Sequence, residues 1–212
     1  MKHPVIIAFT GLPMAGKSTA RETMQSLLSS KNIKNEYLHF GATEEVERRN
    51  AANEWEPAQA NLTMAEKERY IRELWRAEHG MGAMATMKLP EMRELTAAGN
   101  IVLIDNLYSD EERAVIKQEF GEDSLLLVAV AADWNVRVRR GAHREYRPLT
   151  EEELLIRDNA EVYNLHKAPT IALARYTIVN NANEQTDPAL AHQLLRNDLE
   201  SRILPEVIQL IA

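Results

Sequence analysis

Apolar and polar positions along this chain switch between two periods. Val5–Phe9, Ile101–Ile104 and Leu125–Ala131 are continuous apolar runs rich in β-branched residues, the pattern of strands buried on both faces. Tyr37–Phe40 and Thr177–Val179 are shorter runs that predict a second and a fifth strand. Elsewhere the pattern has the 3.6-residue period of a helix. Ala20, Met24, Leu27 and Leu28 form one stripe along Lys17–Ser30, which predicts a helix there. Residues 43–98 read as a long charged helical region, broken near Asn53–Pro57 and at His79-Gly80-Met81-Gly82. Thr63, Ser109 and Thr150 each stand before a predicted helix and are followed three positions later by Glu, at Glu66, Glu112 and Glu153. Each pair can satisfy two free backbone N–H groups reciprocally and so open a helix. The second of these helices is predicted to end near Phe120 and the third near His166. Trp134–Arg140 is a further helix. Asp187-Pro188 supplies the N-cap and first position of a C-terminal helix, with Leu190, Leu194 and Ile203 inward.

Strands that alternate with helices in this order predict a three-layer α/β/α domain with a five-stranded parallel sheet. Right-handed crossovers place the strand C-termini along one edge, where open α/β sheets bind ligands.

The 212 residues correspond to one domain spanning the whole chain. There is no cysteine, so disulfides and thiolate metal sites are excluded. No apolar run approaches the roughly 20 residues that cross a bilayer. The start of the chain carries no signal-peptide pattern, so the expected location is cytoplasmic. Net charge is −7, which opposes non-specific binding to nucleic acid or to a membrane surface. The charge is uneven. Residues 137–147 hold Arg137, Arg139, Arg140, His143, Arg144 and Arg147 against the single acid Glu145, which leaves −11 on the rest of the chain. A basic island in an acidic protein points to an anion site.

The anion is indicated by Gly11-Leu12-Pro13-Met14-Ala15-Gly16-Lys17-Ser18, with Thr19 next, which fits G-x-x-x-x-G-K-[ST]. It follows a predicted strand and opens a predicted helix, the context this motif requires. Glycines allow a loop that turns successive N–H groups inward, where they and the helix N-terminus cradle a phosphate. Lys17 is expected to reach the β- and γ-phosphates of ATP, and the Ser18 hydroxyl to ligate Mg²⁺. Asp105, at the end of Ile101-Val102-Leu103-Ile104, has three readings: part of the Mg²⁺ shell, an orienter of the acceptor, or a cap on the turn before Ser109. Arg137, Arg140 and Arg144 are the candidates for stabilising the transferring phosphoryl group, with Arg157 beyond them. The spacing does not rank them.

No guanine-reading N-K-x-D occurs, and the chain is short for an oligomeric AAA+ motor, so a small kinase fits best. Residues 41–98 would then be a helical acceptor-binding insertion and 137–157 an arginine-rich lid. By fold-level analogy the turn Asn180–Asn183, Asn181 in particular, lies near the adenine. The His79–Gly82 break is either a hinge or a plain helix corner.

The sequence resembles the nucleoside monophosphate kinase group of P-loop kinases, and more closely the mostly archaeal dephospho-CoA kinase-like family. The resemblance runs over nearly the whole chain. It is carried by Thr10–Thr19, Glu78–Ala85, Ile101–Asp105 with Ser109–Glu112, Arg157-Asp158-Asn159-Ala160-Glu161 and Ile171–Asn181. It implies a Mg²⁺-dependent transfer from ATP to a hydroxyl or phosphate of a nucleotide-like acceptor, dephospho-CoA or a (deoxy)nucleoside monophosphate, by a monomer or homodimer. The chain departs from the pattern in two respects. After the second strand it has His39-Phe40-Gly41-Ala42-Thr43-Glu44-Glu45, with no Asp, and after the third Asp105-Asn106-Leu107-Tyr108-Ser109, with no Arg. Glu44 or Glu45 are the candidates for the acceptor-side acid, and Arg48 or Arg49 for an acceptor phosphate. Two other readings follow from this gap and from the motif: a nucleotide-binding regulator without efficient transfer, and a kinase of nucleic-acid 5′-ends, which the acidic charge opposes.

Overall fold

The computed structural model describes residues 4–144, 148–182 and 187–211. Expectations resting on Met1–His3, Glu145, Arg147 and Asn183 lie outside the described residues. β1 (Ile6–Thr10) leads through a loop into α1 (Lys17–Ser30). β2 (Asn35–Tyr37) follows, then α2 (Thr43–Ala52), α3 (Pro57–Ala60), α4 (Met64–His79), a 3₁₀ turn at Gly80–Gly82 and α5 (Ala83–Ala97). The remainder is β3 (Ile101–Ile104), α6 (Asp110–Phe120), β4 (Leu125–Ala131), α7 (Trp134–Ala142), α8 (Glu151–Asn159), α9 (Lys167–Ala172), β5 (Tyr176–Val179), α10 (Pro188–Asp198) and α11 (Leu204–Ile211).

The five strands form one parallel sheet in the order β2-β3-β1-β4-β5. Successive side chains of a strand point to opposite faces, and β1 shows what this does. Ile7 and Phe9 pack with Met24, Leu28, Leu195 and Ile203 of α1 and the C-terminal helices. Ile6 and Ala8 pack with Ile71, Met84, Met92 and Ile116 of α4, α5 and α6. Both faces of the central strands are covered, as their unbroken apolar runs predict, and the three-layer parallel fold stands as read from the sequence.

All three predicted capping boxes form, at Thr63, Ser109 and Thr150. The stripe on α1 is fully buried. The long helical region breaks where its sequence breaks, at Asn53, in the left-handed region, and at Gly80, also at positive φ.

Three local expectations are corrected. β2 covers Asn35–Tyr37 rather than Tyr37–Phe40. Its pairs are Asn35 with Ile101 and Tyr37 with Leu103, and after Leu38 N–H reaches Leu103 O the chain turns away. A three-residue edge strand paired on one side carries little apolar pattern of its own. The helix expected to reach His166 stops as α-helix at Asn159, passes through a π-helical turn at Ala160–Asn164, and restarts as α9 after His166 at φ 52°. On α10, Leu190 and Leu194 are about half exposed, whereas Ala191, Leu195 and Leu199 face the core with Ile203. That buried stripe steps by four, and its small first member gives a weaker apolar signal than the neighbouring leucine.

Candidate active site

The loop between β1 and α1 is built from backbone the sequence could supply only at special positions. Gly11 has φ +142°, and a Cβ there would lie 2.2 Å from Val130 O on the neighbouring strand. Met14 and Gly16 are both left-handed, at φ 64° and 96°, so the chain coils tightly before Lys17 starts α1. The loop carbonyls are tied from outside. Arg140 donates to Met14 O at 3.2 Å, Asn180 Nδ2 to Ala15 O at 3.0 Å, and Arg137 to Pro13 O at 3.2 Å. Holding the carbonyls outward leaves the amides and the uncapped N-terminus of α1 for an anion.

Lys17 Nζ folds back onto Leu12 O at 3.1 Å. Burial, and secondly the positive charge of Lys167, push its pKa down to about 7. Lys167 is completely buried. Its ammonium is ion-paired with Glu161 and donates to Gly11 O at 3.3 Å and Asn106 Oδ1 at 3.2 Å, beneath the Tyr108 ring. Burial lowers the Lys167 pKa as well, while Glu161 opposes the shift.

Ser18 and Asp105 meet, the hydroxyl donating to Asp105 Oδ2 at 3.2 Å. A hydroxyl and a carboxylate converging beside this loop are hard oxygen ligands that fit Mg²⁺. Among the described residues no group of three or more His, Cys, Asp or Glu could cage a metal. The other ligands would therefore be water and phosphate oxygens, as is usual for this ion. The second Asp105 oxygen accepts from the Tyr37 hydroxyl at 3.2 Å.

These groups open into a cleft of about 940 Å³ at the C-terminal edge of the sheet. Pro13, Met14, Gly16, Lys17, Ser18, Thr19, Asp105, Arg140 and Arg144 line it, so most of the expected site is assembled in one place. Gly11 and Ala15 shape the loop from behind. Arg137 is placed differently. It is buried, paired through both terminal nitrogens with Asp158 at 2.8–2.9 Å, and braces the loop at Pro13. Asn181 accepts from the Asp133 amide at 2.8 Å, and its neighbour Asn180 is the residue that touches the loop. The candidates for the acceptor-side acid lie elsewhere. Glu44 pairs with Lys88, and Glu45 binds Arg48 and Arg49 along the outside of α2.

The cleft also contains residues that the sequence did not mark as candidates for the chemistry. Arg72 and Glu68 come from α4, Arg139 from α7, and Glu161 from the π-helical turn, which carries it inward to Lys167. Glu161 and Arg157 belong to the segment Arg157–Glu161 already noted in the sequence; the local period gave no sign of where Glu161 points. Six Lys or Arg side chains against three carboxylates give the cleft a positive field in an acidic protein. None of the three tryptophans lines the cleft. Trp75 is core, the Trp134 indole donates to Glu151, and the Trp55 indole to Asn50.

No family model matches the chain. It is similar to a UPF0200/UPF0201 protein of Archaeoglobus fulgidus, 29% identical over 193 residues that make up 90% of this chain and 54% of that protein. It is also similar to a UPF0200 protein of Pyrococcus furiosus, 33% identical over half of this chain and 57% of the relative. A UPF0200 protein of Pyrococcus abyssi is 27% identical over 85% of this chain and 90% of its own. The chain thus spans little more than half the length of the first two relatives. Among solved structures, TT1252 from Thermus thermophilus matches with a TM-score of 0.53 at 21% identity, covering 96% of this chain and 98% of that one. Shikimate kinase from Bacteroides thetaiotaomicron matches with a TM-score of 0.50 at 17% identity, over 92% and 97%. At these identities the likeness is one of fold: a five-stranded parallel sheet, flanked by helices, is shared with these structures.

Proposed function

We propose that this protein is a Mg²⁺-dependent phosphotransferase that moves the γ-phosphoryl group of ATP to a nucleotide-like small molecule, dephospho-CoA or a (deoxy)nucleoside monophosphate. The observation that carries this reading is the meeting of Lys17, Ser18, Asp105 and Arg140 around the loop between β1 and α1. The loop amides and Lys17 bind the donor phosphates. Ser18 and Asp105 would hold Mg²⁺, which supplies charge neutralisation at the phosphate oxygens when bound. Arg140, Arg144 and Arg157 face the space where negative charge is redistributed during transfer. Residues 41–98 form the acceptor wall and 137–157 the lid.

The acceptor side favours a hydroxyl over a phosphate. Tyr37 donates to Asp105, and His39, Thr43 and Glu68 continue that chain of hydrogen bonds away from it, all groups that exchange hydrogen bonds with hydroxyls. Arg48 and Arg49, the candidates for an acceptor phosphate, are held by Glu45. Asp105 is then also the carboxylate that receives the hydroxyl proton. As the acceptor oxygen bonds to the γ-phosphorus, the bond to the bridging oxygen breaks and ADP leaves with its electron pair.

The test is ADP release from Mg²⁺–ATP against dephospho-CoA, all ribo- and deoxynucleoside monophosphates and nucleosides, with Lys17→Ala as control. Stimulation by one acceptor class, lost in Lys17→Ala, is the expected result. ATP binding with no stimulation by any of these acceptors would overturn the assignment in favour of a nucleotide-binding regulator.

A further inference from the structure

Tyr37, His39, Thr43 and Glu68 form a continuous chain that ends on Asp105, and its hydrogens can be counted. The Thr43 hydroxyl donates to Glu68 Oε1 at 2.7 Å. A hydroxyl has one hydrogen, so its 3.1 Å contact with His39 Nε2 must be donated by the ring. In this arrangement Nε2 is the nitrogen that carries the proton. On the other side the Tyr37 oxygen lies 3.0 Å from His39 Nδ1 and 3.2 Å from Asp105 Oδ1. Its one hydrogen can serve only one of them. When Nδ1 is also protonated, the ring donates to Tyr37 and Tyr37 must donate to Asp105. When Nδ1 carries a lone pair, Tyr37 can turn its hydrogen to the ring and release Asp105 Oδ1.

The space for this ring is built in. A Cβ on Gly41 would lie 2.2 Å from His39 Nε2, so only glycine lets the ring sit between the two hydroxyls. His39 is exposed to the open cleft and exchanges protons with water, whereas Tyr37 and Asp105 are half-buried behind it.

We propose that His39 is a positioning residue, which sets the direction of the Tyr37 hydroxyl and so decides whether Asp105 Oδ1 is free to receive the hydroxyl of an acceptor. The proposal rests on the phosphotransferase reading for its consequence, while the hydrogen-bond switch itself does not. The charged and titratable groups around the ring are Tyr37 from β2, Glu44 from α2, Glu68 and Arg72 from α4, and Asp105 after β3. Arg21 of α1 lies over the Tyr37 ring at 4.1 Å. Protonation of Nδ1 therefore caps Asp105, and its loss uncaps it.

The experiment is NMR of the full chain without ligand, following the ¹⁵N shifts of the His39 ring and the ¹³C shift of the Asp105 carboxylate against pH. In the wild type the neutral ring is expected to carry its proton on Nε2, and the Asp105 signal to move with the same half-point as the ring. Tyr37→Phe and Gly41→Ala should both abolish that common half-point, the first by removing the swivelling hydroxyl and the second by displacing the ring from a position open to the cleft. An Asp105 signal that ignores ring protonation, or a common half-point that survives Tyr37→Phe, overturns the switch. With an acceptor from the panel above, transfer should lose an acid limb in Tyr37→Phe that the wild type shows; an identical limb in both overturns the consequence. Failure of every acceptor would count against the phosphotransferase reading and leave the NMR result to decide the switch.

Discussion

Binding of a triphosphate should change the protonation of Lys17, and the size of the change follows from the cleft. Without ligand the ammonium lies against Leu12 O under the loop with Lys167 nearby, and its pKa is pushed down to about 7. At pH 8 it then carries a proton roughly one tenth of the time. A triphosphate seated in the loop places several negative charges beside it, and the charged form becomes the stable one. Binding at pH 8 should therefore take up about 0.9 proton per site, and at pH 6 only about 0.1. The phosphate groups contribute little at pH 8, since their last ionisation lies near 6. Isothermal titration with Mg²⁺ and a non-hydrolysable ATP analogue, in two buffers of different ionisation enthalpy, reads this number from the slope. Lys17→Met should remove the uptake. Lys167→Met should reduce it, because Lys167 is the second cause of the depressed value. An uptake below about 0.2 proton at pH 8, or an unchanged uptake in Lys17→Met, would refute the reasoning.

Three other outcomes are expected. Gly11→Ala meets both a forbidden φ and the Val130 carbonyl, so it should lower stability by about 1–3 kcal/mol in urea unfolding and abolish the thermal shift given by ATP; a variant of native stability would contradict the loop geometry. Glu161→Gln leaves the buried Lys167 ammonium without its counter-charge, and should cost about 3–5 kcal/mol in urea unfolding; an unchanged stability would contradict the pairing. Complete burial of Glu112 raises its pKa to about 7, although it accepts from the Tyr108 and Ser109 amides. The native state thus keeps a proton that the unfolded chain gives up between about pH 4.5 and 7, and this group's contribution to stability falls as pH rises through that window. Glu112→Gln keeps an acceptor oxygen without the charge, so its Tm relative to the wild type should rise from pH 5 to pH 8; a constant difference would remove the argument.

What could be read in advance was what depends on neighbours in sequence. The strands Leu125–Ala131 and Ile101–Ile104, the helix Lys17–Ser30, the three capping boxes and the tight glycine loop before Lys17 are each specified within a few residues, by period, by a Ser or Thr with its Glu, or by glycines at fixed offsets. The errors fell where a distant contact outweighs the local pattern. Leu190 and Leu194 look like the inward stripe of α10, yet packing against α1 selects the stripe that starts at Ala191. The helix after Thr150 has no breaker at 160, yet it widens into a π-helical turn there, and Glu161 is thereby turned to Lys167.

The same division runs through the site. The basic island of residues 137–144 is one segment of sequence but three different environments. Arg137 turns inward to Asp158 and the back of the loop, Arg140 grips the loop carbonyls and Asn180, and Arg139 and Arg144 face the cleft. Positions 137 and 140, three apart on α7, share the face that meets the loop, whereas position 139 lies about 100° round from 140, so neighbours in the island cannot all point at one phosphate. The partners that decide among them, Asp158 and Asn180, are 21 and 40 residues away. The acceptor-side acid obeys the same rule. The sequence after β2 offers Glu44 and Glu45, which the helix surface absorbs into ion pairs with Lys88, Arg48 and Arg49. The carboxylates that reach the cleft are Asp105, Glu68 and Glu161, brought there from the end of β3, from α4 and from the π-helical turn. An acid missing from its expected place in the sequence is therefore not an acid missing from the site, and the chemistry proposed for this cleft needs no residue that the fold fails to deliver.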